Sequence, residues 1–348
     1  MVRRIRKSLW SRSFQRSLNA LTRATFSAGT RAVARAQVAP AKPAAAAKKR
    51  LRAPAVATGR WILGIAGSGS GARRYRLFKP PGALRSSPLP LLVMLHGCDQ
   101  DAAGAARSTR LQALAAREGF LLLLPEQDRL ANAHGCWNWF ETRSGRAVAE
   151  ASIILGAIDQ ACTLHGADPA RVAIAGFSAG AGMAAFVALH HPKRFAAVAM
   201  HSGVAPGAAH STATALAAMQ GRRAPGPLTV STSLPPLLVI QGRDDRVVRA
   251  SNGHAAAQRW ADAAGAQPGA LRIVQRGARH AMSVTDYKLR GRVAATLCDI
   301  ARLGHAWSGG AAREPYGDPK GPDASRMIWA FAARQFKRAG FVQSAAKQ

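Results

Sequence analysis

Residues 171–183 read RVAIAGFSAGAGM: a short apolar run, then Gly176-Phe177-Ser178-Ala179-Gly180, then an alanine-rich helical pattern. A serine with glycines two before and two after it, a strand pattern in front and a helix pattern behind, is the signature of a very tight strand-to-helix turn. The backbone at the serine is strained in such a turn. Side chains at 176 and 180 would collide with the neighbouring strand or helix, so glycine is required at both. The turn lifts the Ser178 hydroxyl out at the carboxyl edge of a sheet. It also leaves the Ala179 N–H, at the helix start, free to meet a developing negative charge. In a chain with 33 glycines the bare motif could be a chance turn. The flanking strand and helix are what argue against chance. If Ser178 is a nucleophile, the rest of the chain must supply a base, an acid and a second oxyanion donor.

The chain in order supports a fold able to do this. An early strand over 73–79 alternates basic and apolar residues, which predicts an exposed position. Residues 89–95 (LPLLVML) read as a buried parallel-type strand ending in His96-Gly97-Cys98. Asp101 is placed to cap a helix over 102–118, and a buried strand follows over 120–124. A loop carries Cys136-Trp137-Asn138-Trp139-Phe140. A helix over 147–165 leads into the serine strand. Beyond the turn helix the pattern predicts a strand over 195–200, a long Ala/Gly/Pro-rich excursion over 203–235 and a strand over 236–240. A helix over 252–264, a strand over 271–275, a ribbon over 283–302 and a last helix over 322–338 complete it. Strands alternating with helices at this cadence predict an α/β fold, a mostly parallel central sheet flanked by helices, in one domain over 61–340.

The acid is expected on a loop after a later strand. Gln241-Gly242-Arg243-Asp244-Asp245 leaves the 236–240 strand and offers two. Asp245, three residues past the glycine, is the first choice and Asp244 the second; both could also serve as turn residues. Of the ten histidines, the candidates downstream of Asp245 are His280 and His305, since His254 falls within a helix pattern. His305, in the glycine-rich run 304–310, is preferred over His280, which lies in strand-like sequence. His201 follows a buried strand and could line a pocket. Ser178, Asp245 and His305 in that order have the logic of a serine hydrolase. The serine attacks an ester carbonyl, the histidine carries its proton to the leaving alkoxide, and the aspartate fixes the imidazole tautomer. The oxyanion would be met by the N–H of Ala179 and one from the 96–98 loop, Cys98 being favoured.

Charge divides the chain. The net charge is +32, yet no acidic residue precedes Asp99, and residues 1–60 alone hold 15 Lys and Arg. Residues 1–30 place Ile5, Leu9, Trp10, Phe14, Leu18 and Leu21 on one face of a basic amphipathic helix pattern. Residues 36–58 are rich in Ala, Pro and Lys and read as a disordered linker. A basic tail over 1–60 suits an anionic surface, a membrane or a polymer granule; a solvated tail with no specific partner, or a start codon placed too early, explains it as well. Nothing in the pattern marks a specific nucleic-acid binder: three tyrosines and no helix-turn-helix, RRM or zinc spacing accompany the charge. There is no uninterrupted apolar run near 18 residues, and no apolar core of a signal peptide is legible. Cys98, Cys136, Cys162 and Cys298 lack zinc spacing. For Cys162 and Cys298, free thiols and a bonded pair are both open. No metal or cofactor is expected.

Seven segments together resemble one known family: LLVMLHGCDQ (91–100), PEQ (125–127), CWNWF (136–140), DPARVAIAGFSAGAGMA (168–184), QGRDDRVV (241–248), GHAWSGG (304–310) and GPDAS (321–325). The chain over 62–338 is similar to the polyhydroxybutyrate (PHB) depolymerase family of esterases, whose relatives include feruloyl and acetylxylan esterases. The resemblance implies an α/β-hydrolase fold and cofactor-free ester hydrolysis. It also implies Ser178 as nucleophile, Asp245 as acid, His305 as base and an oxyanion N–H at Cys98. A Cys98–Cys136 disulfide and an acyl groove lined by Trp137, Trp139 and Trp307 are further implications; packing under the loops is the other reading of the three tryptophans. The expected substrate is a hydroxyalkanoate oligomer or polymer, or a related short-chain ester. The alternatives are a feruloyl or acetylxylan ester, and a granule- or membrane-surface protein with a vestigial hydrolase domain. The family resemblance and the cysteine pair point to an extracellular location, and the unreadable signal peptide to the cytoplasm or a granule.

Overall fold

A computed structural model describes residues 59–83, 87–229 and 233–345, with side chains up to residue 338. The amphipathic pattern over 1–30 and the linker pattern over 36–58 lie outside the described residues. The compact unit begins at Gly59.

Thirteen strands and seven α-helices are described. The strands are β1 (Arg60–Ser68), β2 (Gly71–Lys79), β3 (Leu89–Leu95), β4 (Leu121–Pro125), β5 (Ala167–Phe177), β6 (Ala197–His201), β7 (Leu237–Gly242), β8 (Gln267–Pro268), β9 (Arg272–Val274), β10 (Met282–Leu289), β11 (Arg292–Ile300), β12 (Trp307–Ser308) and β13 (Gly317–Asp318). The helices are α1 (Ala102–Thr109), α2 (Leu111–Glu118), α3 (Arg146–His165), α4 (Ala179–His190), α5 (Thr212–Met219), α6 (Ser251–Ala263) and α7 (Ala324–Ala345).

Eleven strands form one sheet in the order β1-β2-β4-β3-β5-β6-β7-β11-β10-β8, with β9 also paired to β10. The six central strands β4, β3, β5, β6, β7 and β11 are mutually parallel. Antiparallel strands close each end. The continuous apolar runs seen in the sequence follow from burial on both faces. Along β3, Leu91, Val93 and Leu95 pack with α3, α4 and α6 on one side. Leu92 and Met94 pack with α1, α2 and α7 on the other. Two-residue alternation therefore divides one apolar strand between two cores.

Several expectations are corrected. The 73–79 strand is not exposed, because β1 precedes it and pairs with it in a nine-residue antiparallel register. Tyr75, Leu77 and Phe78 are buried between β1 and β4. The helix over 102–118 is two helices. Asp101 caps the first, its Oδ1 accepting from Gly104 N–H at 2.6 Å, but Arg110 at φ 59° ends it and begins the second. The 203–235 excursion contains α5, started by a reciprocal Ser211–Thr214 capping box. Among the described residues one helix, α3, is long and apolar enough to cross a bilayer by length and composition, although the sequence lacks an 18-residue apolar run. Half of it is buried against β1, β2, β5 and α4, as in a core helix. Of the two readings open for Cys162 and Cys298, the structure has free thiols.

Candidate active site

The register of the parallel strands gathers the candidate residues. Leu95 pairs with Gly176, Phe177 with His201, His201 with Ile240, and Gly242 with Ile300. Five loops therefore leave the same edge of the sheet in adjacent positions. Parallel strands lie about 4.8 Å apart, so loops only a few residues long bring these side chains into contact.

Ser178 occupies the strained turn, at φ 54° and ψ −118°. Its flanking glycines are sterically required. A Cβ at Gly176 would stand 2.1 Å from the Gly180 carbonyl oxygen, and one at Gly180 would stand 2.2 Å from that of Leu95. The Ser178 N–H donates to the His201 carbonyl at 2.9 Å, which ties the turn to the next strand.

Ser178, His305 and Asp245 form a continuous relay. His305 Nε2 lies 3.0 Å from Ser178 Oγ, and His305 Nδ1 lies 2.8 Å from Asp245 Oδ2. The carboxylate only accepts, so Nδ1 carries the proton and Nε2 is left to accept from the serine hydroxyl. Asp245 is held by four donors. Oδ1 takes the N–H groups of Val247 and Val248 at 2.9 and 2.8 Å, and Oδ2 takes Gln241 Nε2 at 3.4 Å beside the imidazole. Its side chain is fully buried and that of His305 is 7% exposed. The two open alternatives lie elsewhere. Asp244 is exposed, and His280 Nε2 meets Asp318 Oδ2 at 3.1 Å.

The loop after β3 is fixed from several directions. A disulfide joins Cys98 to Cys136 across 38 residues. His96, fully buried, donates from Nδ1 to the Gly97 carbonyl at 2.8 Å and accepts from Gln127 N–H at Nε2 at 3.0 Å. Gln100 Oε1 accepts from Gly97 N–H at 2.9 Å. Burial holds the His96 imidazole below its ordinary pKa, so it stays neutral and able to accept. Beneath the loop, the buried Glu150 carboxylate accepts from Gln127 Nε2 at 2.7 Å, Asn138 N–H at 2.8 Å and Asn138 Nδ2 at 2.5 Å. Arg73 stands 3.8 Å away and gives it a countercharge. Such burial is tolerable because each carboxylate oxygen is satisfied. The N–H groups of Cys98 and Ala179 donate to no group among the described residues.

The three tryptophans do not form an open groove. Trp137 is fully buried, tilted against the His96 ring at 5.6 Å. Trp307 is 1% exposed and donates from Nε1 to Ser325 Oγ at 3.1 Å. Trp139 lies flat enough on α4 that a Cβ at Gly182 would meet its ring at 2.8 Å. Their place is in packing under the loops, as their size and apolar area favour.

His201 is not a pocket-lining residue. It is buried, Nε2 accepts from Ser308 N–H at 3.0 Å, and Nδ1 meets Ser202 Oγ at 3.1 Å. Its ring stacks on Trp307 at 4.8 Å. Burial, reinforced by the neighbouring His305, pushes its pKa down to about 3. One neutral side chain thus clasps the segment that follows His305 while its own carbonyl holds Ser178. The readable signal was the histidine at the end of a buried strand; its partners Trp307 and Ser308, over 100 residues away, were not readable. Glu150 was also missed, and its signal was a carboxylate among the small apolar residues that open an otherwise apolar helix. Among the described residues no three His, Cys, Asp or Glu side chains converge as a metal site.

A mixed sheet in this order, with a serine on a strained strand-to-helix turn, defines an α/β-hydrolase fold. The acetyl xylan esterase from Aspergillus awamori shares that fold, with a TM-score of 0.61 at 19% identity over 71% of this chain and 94% of that one. The chain belongs to the Esterase PHB depolymerase family, whose model matches residues 73–259, more than half of it. The matched range includes Ser178 and Asp245, and His305 lies beyond it. Poly(3-hydroxyalkanoate) depolymerase C of Paucimonas lemoignei is 34% identical over 140 residues, 40% of this chain and 34% of that protein. Feruloyl esterase B of Neurospora crassa is 31% identical over 140 residues, 39% of this chain and 47% of that protein. The chain thus matches from about a third to about half of the length of these relatives.

Proposed function

We propose that the chain is a serine carboxylic-ester hydrolase acting through an acyl-enzyme on 3-hydroxyalkanoate oligomers or related short-chain esters. The observation that carries this is the relay Ser178–His305–Asp245 beside the N–H groups of Cys98 and Ala179, which have no acceptor among the described residues. Ser178 Oγ bonds to the ester carbonyl carbon while its proton passes to His305 Nε2. The N–H groups of Cys98 and Ala179 take up the charge on the carbonyl oxygen. As the bond to the alcohol oxygen breaks, the same proton goes to the departing alkoxide. Water repeats the sequence to free the acid, and the Asp245 carboxylate stabilises the imidazolium at both stages.

The substrate half of the proposal draws on the relatives, one a hydroxyalkanoate depolymerase and others feruloyl and acetylxylan esterases. The test is hydrolysis of p-nitrophenyl esters from acetate to octanoate, with a 3-hydroxybutyrate oligomer and a feruloyl ester alongside. Ser178→Ala should lower turnover by a factor on the order of 10^6. A rate peak on short acyl and hydroxybutyrate esters supports the substrate; a peak on the feruloyl ester replaces it. Turnover that survives Ser178→Ala, or none on any ester, would leave the basic tail as the functional part.

A further inference from the structure

Tyr316 has a conformation that packing alone does not call for. It lies between β12 and β13, half-buried, at φ 59°. A bulky side chain in the left-handed region is strained, and such strain persists where the surroundings impose it. Here Trp307 N–H donates to the Tyr316 carbonyl at 2.6 Å, and the next residue, Gly317, pairs with Trp307. The segment that carries His305 therefore also sets the tyrosine.

The ring stands perpendicular to the His305 imidazole, with centroids 6.5 Å apart and planes at 84°, and 6.1 Å from the Phe177 ring. Its hydroxyl makes no hydrogen bond with the described residues. Burial, and then the Asp99 carboxylate, hold the phenol above its usual pKa, so it remains a donor at neutral pH. Asp99 follows Cys98 and is itself at φ 60°. Tyr316 thus stands beside His305 and beside Phe177, the residue that precedes Ser178.

The relay says what meets it there. His305 returns its proton to the departing alkoxide, so the alcohol half of the ester must lie against His305. A phenol beside that imidazole borders the same half. We propose that Tyr316 determines leaving-group specificity. Its hydroxyl donates to an acceptor on the alcohol and so favours alcohols that carry a carbonyl over those that carry none. This rests on the esterase reading and deepens it.

The test compares methyl 3-acetoxybutyrate with sec-butyl acetate, following acetate release. The two share an acetyl group and a secondary ester carbon and differ in the carbonyl. Tyr316→Phe keeps the ring and removes the donor. The ratio of kcat/KM for the first ester over the second should fall about three- to tenfold, the value of one hydrogen bond. A ratio that stays put, including one where both rates fall together, overturns the proposal. Binding of methyl 3-acetoxybutyrate to Ser178→Ala protein, followed by NMR, reads the same contact without chemistry. Adding Tyr316→Phe should weaken it by a similar factor, and equal binding overturns the proposal. If binding shifts while wild type hydrolyses neither ester, the esterase reading fails and the subsite stands. If Ser178-dependent hydrolysis occurs and neither ratio nor binding shifts, the subsite fails alone.

Discussion

At the scale of single residues, the relay makes sharply unequal demands on its members. Asp245 accepts four donors, one of which is the His305 Nδ1–H. Asp245→Asn keeps the volume and removes the charge, and it can present an N–H to Nδ1. The imidazole would then turn to the wrong tautomer. On the proposed mechanism kcat should fall by about 10^3 to 10^4 with a much smaller change in KM. Near-wild-type turnover in a folded Asp245→Asn protein would remove Asp245 from the relay. Ser178 was legible because its turn has local rules that glycine spacing exposes. Asp245 and His305 were legible only as the better of two, since the choice depends on burial and distance. Asp244 sits one residue away and points to solvent, and His280 has its own carboxylate partner. For the tryptophans two readings stayed open, groove and packing, for a complementary reason. Aromatic residues on a loop read as a surface feature until the loop is seen tied down by a disulfide and a buried glutamate.

At the scale of elements, the loop after β3 and the aromatic loop behave as one unit. The Cys98–Cys136 bond closes 38 residues, and the Gln127, Asn138 and Glu150 network fills the space beneath. Closing a loop of that length restricts the unfolded chain by about 3–4 kcal/mol in the chain-entropy account. Cys98→Ala with Cys136→Ala should lower unfolding free energy by that order, measured by urea denaturation. It should also lower kcat, because the Cys98 N–H loses its tether. Loss of stability with kcat unchanged would show that His96 and Gln100 position the loop unaided. The strands were legible where both faces are buried, since β3 and β4 read as apolar runs. β1 was not, because its outward residues include the exposed Leu63 and Ile65 beside glycines, a pattern with no clear strand period. Nor was the break at Arg110, where a residue with good helix propensity takes a left-handed conformation between α1 and α2. Tertiary packing overrides propensity at that joint.

At the scale of the whole molecule, two buried neutral histidines make the fold sensitive to acid. His96 and His201 both accept a backbone N–H through Nε2, which a protonated imidazole cannot do. Burial is the first cause of the lowered pKa of each, and that of His201 stands at about 3. In the unfolded chain a histidine titrates near its reference of about 6.5. Between those values the unfolded chain binds a proton that the folded one does not, so stability rises with pH across the window. The contribution is fully present above about 6.5 and is lost as pH falls toward about 3. For His201 the loss is on the order of 4 kcal/mol, a large share of the margin of an ordinary domain. The transition temperature should therefore drop steeply on acidification through this range. His201→Gln keeps an acceptor for Ser308 N–H and does not titrate, so it should flatten that slope while lowering stability at neutral pH through poorer packing against Trp307. A thermal-unfolding series from pH 7.5 to 4 on both proteins measures the difference. Parallel curves would mean that the acid sensitivity comes from other groups, and that His201 is not held neutral by the packing that joins Ser178 to the His305 loop.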